Sequence, residues 1–396
     1  MSNKLKRTLD KNFTYSEYNQ KNKIQNINDA KREIHYGSTN YENNSNDDFW
    51  YNLLNSDEDY EEYCDDNLII EKEKLIIERE INSLQDLLSI IEDYPYDENK
   101  IYNIDLQKLH FIKEPLYKLN SLIGLHELKT NISDQIIYYL QNLHIPKKEN
   151  KINEDYLHTV LYGPPGTGKT EIAMILGDIF CRMDILKSNK FRKVTRSDLV
   201  AGYLGQTALK TRDVIKESLG GVLFIDEAYS LGNSEKRDSF AKECLDTLCE
   251  SLSNYKNELM VIIAGYEEEL NTCFFSYNPG LKSRFTWNYK INEYSSEELK
   301  NIFIKKINDN GWSLTETIDA SFFEKNKNLF KSFGRDIENF FSKIKIAHSR
   351  RVFCLEEEEK TKITIKDVKK GLELFKNNNE NKDKDKEDKM AILMYS

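Results

Sequence analysis

Residues 163–170 read GPPGTGKT, and no other stretch narrows the possible folds as far, because the apolar run HTVLYG (158–163) leads into it and a helical pattern leads out. A strand, a glycine-rich turn and a helix in that order make a phosphate-binding loop. Gly163, Gly166 and Gly168 let backbone amides turn inward around phosphate oxygens, Pro164, Pro165 and Thr167 complete the loop, and the start of the helix adds its partial positive charge. Lys169 is expected to reach the β- and γ-phosphates of a nucleotide, and Thr170 to place its hydroxyl on Mg²⁺. A chance glycine-rich turn is the competing reading, which the complete eight-residue match in a strand-to-helix setting disfavours.

A second motif supplies acids. VLFIDE (222–227) puts two carboxylates at the end of an apolar strand, where a doubly wound sheet would bring them beside the phosphate loop. Asp226 suits the magnesium shell, and Glu227 suits the base that orients and polarises an attacking water. Alone, such a pair is more often a surface feature; downstream of GPPGTGKT it points to hydrolysis rather than binding alone.

Further apolar runs, FRKVT (191–195), GVLFID (221–226), LMVIIAG (259–265) and FTWNYKI (285–291), alternate with helical stretches, the pattern of an α/β parallel sheet covered by helices. From Tyr294 onward strands disappear. Ser295 and Glu298 fit a helix-opening capping box, and helical patterns at 297–309, 335–350 and 365–376 predict a small all-helical domain. Upstream, Ile77, Ile81, Leu84, Leu88 and Ile91 recur at three- and four-residue steps, which predicts one amphipathic helix between Leu68 and Ile91, packed on the main domain or recruiting a partner. The expected regions are a mostly disordered polar and acidic stretch (1–67), a helical extension (68–118), a large α/β domain (119–292), a helical domain (293–376) and a flexible charged tail (377–396).

The chain has 396 residues, 39% of them hydrophobic, enough to bury the cores of two or three domains. It has no run of about 18 apolar residues to span a bilayer, and the start MSNKLKRTLDKNF lacks an apolar signal segment, so a soluble cytoplasmic protein without a membrane partner is expected. Its six cysteines form no C-x-x-C pair, and Cys244 and Cys249 have no His at zinc-finger spacing, so neither a zinc site nor a disulfide framework is indicated. A formal net charge of -10 argues against broad nucleic-acid binding and leaves only a local basic groove open.

Together GPPGTGKT and FIDEA resemble the AAA+ ATPases, P-loop NTPases whose parallel-sheet domain is followed by a helical lid. The longer strings DLVAGYLGQTALKTRDVIKESLGGVLFIDEAYSL (198–231), VIIAGYEEEL (261–270) and NPGLKSRF (278–285) resemble the CbbX/CfxQ branch, which includes red-type rubisco activases and sporulation stage V protein K-like ATPases. The resemblance covers roughly residues 119–375. It implies ATP with Mg²⁺ as cofactors and a homo-oligomeric ring, a hexamer in the family, in which Arg284 is the arginine finger that reaches the nucleotide of a neighbouring subunit. It implies too that Arg335, within Gly334-Arg335-Asp336, is the sensor-2 arginine of the lid, that Tyr266 occupies the sensor-1 place, and that Gly124 in SLIGL lies against adenine. The family's asparagine near Gly334 is replaced here by Ser332-Phe333, which keeps a helix-capping or salt-bridged Arg335 in play. Without the resemblance, Arg284 reads as an ordinary surface cation after the Pro279-Gly280 turn.

GYLG (202–205) falls in the interval that faces the central pore of AAA+ rings. There Tyr203 and Leu204 are expected to grip an extended polypeptide, since an aromatic face flanked by glycines contacts many side chains without sequence specificity. The alternative packs Tyr203 under its own turn. Two functions stay open: an ATP-driven motor that remodels or threads a protein substrate of unknown identity, and an ATP-dependent assembly switch or scaffold, nucleic-acid associated, with slow turnover.

Overall fold

The runs TVLY, VLFI and MVIIAG are buried along their whole length, and a strand apolar on both faces is stable only inside a sheet covered on both sides. The computed structural model describes residues 72–145 and 155–378, apart from 204, 234, 236 and 237. In it the five expected strands form as Thr159–Tyr162 (β1), Phe191–Val194 (β2), Val222–Ile225 (β3), Met260–Gly265 (β4) and Trp287–Lys290 (β5). They make one parallel sheet in the order β2-β3-β4-β1-β5, with Thr159 opposite Ile262 on one side and Trp287 on the other. Because all five run the same way, the segments that follow β1, β3 and β4 emerge along a single edge of the sheet.

The two-residue period sorts the side chains. Leu161, Phe224 and Ile262 pack with Ile172, Leu176 and Phe180 of the helix Lys169–Arg182, whereas Val160, Leu223 and Ile263 pack with Val214, Ile215, Leu245 and Leu248 of the helices Thr207–Ser218 and Ser239–Asn254. The sheet is thus the middle of a three-layer sandwich.

The single helix expected between Leu68 and Ile91 does not form. Residues 68–71 lie outside the described residues, Glu73–Leu75 pairs in parallel with Lys100–Tyr102, and the helix spans only Leu84–Asp93. Asn103 holds the intervening chain extended: Ile77 N–H donates to its Oδ1 (2.8 Å) and its Nδ2 donates to Ile77 O (3.1 Å). Ser83 and Asp86 then start the helix with a reciprocal capping box, a device worth about 1 kcal/mol, in the middle of the apolar repeat. The helix's Leu88 and the extended Ile77 nonetheless join the same apolar cluster as Phe180, so this extension shares its core with the sheet. Arg182, at the end of the helix that follows the phosphate loop, pairs with Glu114 (2.8 Å) and donates to Phe111 O (3.3 Å).

From Tyr294 a third apolar cluster gathers the helices Ser296–Asp309, Ala320–Lys325, Phe333–Val352 and 365–378. The capping box of Ser295 and Glu298 forms. One feature departs from the expected absence of strands: Ser313–Leu314 pairs in parallel with Lys362–Ile363. Among the described residues no helix is long and apolar enough to cross a membrane, and the cysteines are free. The expected polar region 1–67 and residues 379–396 of the expected tail lie outside the described residues.

Candidate active site

Gly166 and Gly168 have φ of +74° and +86°, the left-handed region that glycine reaches without strain, and this curls residues 163–168 back over the carboxyl end of β1. Gly163 N–H donates to Gly265 O (3.1 Å), tying the loop to the end of β4. Lys169 opens the following helix, and its Nζ donates to Gly163 O (2.8 Å) and Pro164 O (2.7 Å), so the ammonium sits inside the ring of loop carbonyls. Burial lowers the Lys169 pKa; Asp226 and Glu227 oppose the shift and Arg335 adds to it. Thr167 Oγ1 donates to Pro164 O (2.8 Å) and braces the turn from within.

A cavity of about 470 Å³ opens above this loop. Its wall takes Gly163, Pro165, Gly166, Gly168, Lys169 and Thr170 from the loop and helix, Asp226 and Glu227 from the end of β3, Tyr266 from the end of β4, and Arg335 from the lid. Sequence reasoning had singled out all of these, though they come from four separate segments. It missed Glu171, Met174 and Tyr229, which line the same cavity. Glu171 and Met174 sit on the cavity-facing side of the helix that Lys169 opens, a placement the phosphate-loop string implies; no spacing marks Tyr229.

Glu227 holds a left-handed conformation (φ +50°), uncommon for a residue with a side chain, and its N–H donates to Asp226 Oδ1 (3.1 Å). The bond holds the Asp226 carboxylate against the turn that carries Glu227. Asp226 Oδ2 faces the ammonium of Lys193, at 2.6 Å, another residue that sequence reasoning did not pick out. Thr170 and Asp226 both bring oxygen atoms to the cavity lining, and Mg²⁺ is commonly held by one or two protein oxygens plus substrate phosphates, so this donor set fits that ion. Among the described residues no group of three His, Cys, Asp or Glu side chains forms a metal cage of its own.

The lid touches the loop directly. Gly334 N–H donates to Gly166 O (3.0 Å), and Tyr294 OH donates to Thr167 O (3.2 Å). Phe333 takes φ +42°, a conformation in which asparagine is far more at ease than a bulky side chain. Its ring is buried edge-on against Tyr294 (5.8 Å), so packing stands in for the backbone preference.

Three expected residues lie elsewhere. Arg284 ends the helix Pro279–Arg284 just before β5, with Nε donating to Ser253 Oγ (2.6 Å) and Nη1 to Gly280 O (2.6 Å). The neighbouring Phe285 ring stands 5.9 Å from His158, which precedes β1, so Arg284 belongs to the edge of the sheet opposite the phosphate loop. Gly124 (φ +66°) is not in the cavity wall; it abuts Glu298, whose Oε1 would lie 2.0 Å from a Cβ placed there. Tyr203 is 75% exposed and does not pack under its own turn, while Leu204 lies outside the described residues.

Comparison with known proteins agrees with this geometry. Residues 159–291 match the model of the ATPase family associated with various cellular activities (AAA). Over 281 residues the chain is 40% identical to a CfxQ-like protein of Acanthamoeba polyphaga mimivirus, covering 70% of this chain and 68% of that one. It is 38% identical over 205 residues to the stage V sporulation protein K of Bacillus subtilis (strain 168), covering 52% and 63%. A CfxQ homologue of Pyropia yezoensis is 35% identical over 259 residues, covering 64% of this chain and 86% of the relative. With a nucleotide-sized cavity built from a phosphate loop and a strand-end acidic pair, the chain belongs to the CbbX/CfxQ-type AAA ATPases and is an ATP-hydrolysing enzyme.

Proposed function

We propose that this ATPase works as a homo-oligomeric ring, with six subunits as the family resemblance implies, that uses Mg-ATP hydrolysis to remodel or thread a protein substrate. Lys169 and the loop amides bind the phosphates, and Thr170 and Asp226 hold Mg²⁺, which when bound screens the phosphate charge. Glu227 accepts the proton of the attacking water, a role supported by its place in the cavity wall at the end of β3. Arg335 reports from the lid, and Tyr266 offers its hydroxyl from the end of β4.

One observation carries the reading: Arg284 is anchored to Ser253 and Gly280 on the edge of the sheet away from its own cavity. An arginine that is to stabilise charge on a transferring phosphoryl group from there serves a neighbouring subunit. A motor is favoured over an assembly switch by Tyr203, a large aromatic three-quarters exposed to solvent.

The test is Arg284→Ala beside Glu227→Gln. Both variants are expected to bind ATP and assemble, and Arg284→Ala to lose roughly 10³ in turnover. Full turnover by Arg284→Ala, or a wild-type rate per subunit that survives dilution to monomers, would contradict the proposal.

A further inference from the structure

Asp226 is not a free carboxylate. Its Oδ2 lies 2.6 Å from Lys193 Nζ, and the Lys193 ammonium also stands 5.7 Å from the centre of the Phe224 ring. Lys193 comes from β2, the end strand of the sheet, directly across from Phe224 in register. Its side chain is 47% exposed and that of Asp226 25%, so the ammonium reaches solvent while its partner carboxylate lines the cavity. Asp226 also acts electrostatically on Lys169, opposing the effect of burial on that ammonium. Lys169 is committed to the loop carbonyls; Lys193, among the described residues, is held by Asp226 and an aromatic face.

We propose that Lys193 is a cation placeholder at Asp226, pairing with its carboxylate before Mg²⁺ arrives and swinging toward solvent when it does. The inference rests on the reading of Asp226 as a metal ligand. Two charge effects follow, with opposite signs. With Lys193 in place Asp226 is neutralised, so a nucleotide without metal meets less repulsion from the carboxylate, while a divalent cation must displace an ammonium to reach the same carboxylate. Lys193 is therefore a positioning residue that sets how much Mg²⁺ the site demands. Exposed or half-exposed ion pairs are worth little, so the expected change is about five-fold rather than many decades.

The experiment uses the full-length protein, ADP and Mn²⁺ as the probe ion, with free Mn²⁺ followed by electron paramagnetic resonance and ADP affinity measured separately in EDTA. Lys193→Met keeps the apolar stem over Phe224 and removes the charge. It should lower the half-saturating Mn²⁺ about five-fold and weaken metal-free ADP by a similar factor, whereas Lys193→Arg should keep or raise the wild-type Mn²⁺ requirement. A merely structural role would move both affinities in the same direction. If Lys193→Met leaves the Mn²⁺ midpoint where it was, or shifts both affinities together, while Asp226→Asn raises that midpoint, the placeholder is wrong and the metal assignment stands. If Asp226→Asn leaves the midpoint unchanged, Asp226 is not a metal ligand and both ideas fall.

Discussion

Acid should find one weak point in the core ahead of the others. His158 is fully buried where β1 begins, and its two ring nitrogens have different partners: Val261 N–H donates to Nδ1 (3.1 Å), so Nε2 carries the proton and donates to Leu252 O (3.2 Å). A second proton would have to displace Val261 and leave a charge beside Phe285 and near the Arg284 guanidinium. Burial therefore drives the His158 pKa down from 6.5 to about 4, with the bond to Leu252 opposing and Arg284 assisting. The unfolded chain takes up this proton near 6.5 and the folded chain only near 4. Above 6.5 the group is neutral in both states; as the pH falls from there to 4, each unit removes about 1.4 kcal/mol of stability, about 3 kcal/mol in all. Other groups titrate in this window too, so the measurement is a difference. His158→Gln keeps one acceptor and one donor and carries no charge at any pH. Urea unfolding followed by tryptophan fluorescence, run at about pH 7 and about pH 4, should show the wild type losing about 3 kcal/mol more than the variant. Equal losses would refute the buried neutral imidazole.

Two further substitutions probe the site. Gly166→Ala would put a Cβ 1.9 Å from Ser332 O at a left-handed φ, so the lid must back away; a strain of about 1–2 kcal/mol predicts ATP binding weakened about tenfold by nucleotide titration. Tyr203→Ala removes a solvent-exposed ring, so thermal unfolding should shift by less than about 0.5 kcal/mol and basal ATPase persist, while remodelling of an identified substrate is lost. Unchanged remodelling would remove Tyr203 from the substrate path.

What the sequence announced and what it hid divide along local and non-local interactions. The strands that became β1 to β5 were legible because doubly buried strands must be apolar throughout, and the phosphate loop because its glycines are tied to one backbone shape. Ser295 and Glu298 were legible because a capping box spans only three residues. The helix expected across Ile77 and Ile81 failed because Asn103, 26 residues away, bonds Ile77 and a remote strand pairs with Glu73–Leu75. Lys193 meets Asp226 only because β2 and β3 are neighbours in the sheet, and Gly334 meets Gly166 only because the lid folds back on the loop. No window along the chain contains those pairs. The strain at Phe333 is readable in hindsight from the missing asparagine, but the Tyr294 ring that offsets it comes from another segment.

The central claim is that one subunit's Arg284 completes another subunit's site, and mixing two inactive variants tests it most directly. Arg284→Ala keeps the cavity and lacks the finger; Lys169→Ala keeps the finger and lacks the phosphate-binding lysine. In an equal mixture of freely exchanging subunits, about a quarter of head-to-tail interfaces join an intact cavity to an intact finger. ATP turnover should therefore reappear on mixing, toward about that fraction of the wild-type rate, while each variant alone stays inactive. A mixture that assembles yet remains inactive, or Arg284→Ala turning over ATP unaided at the wild-type rate, would contradict the account.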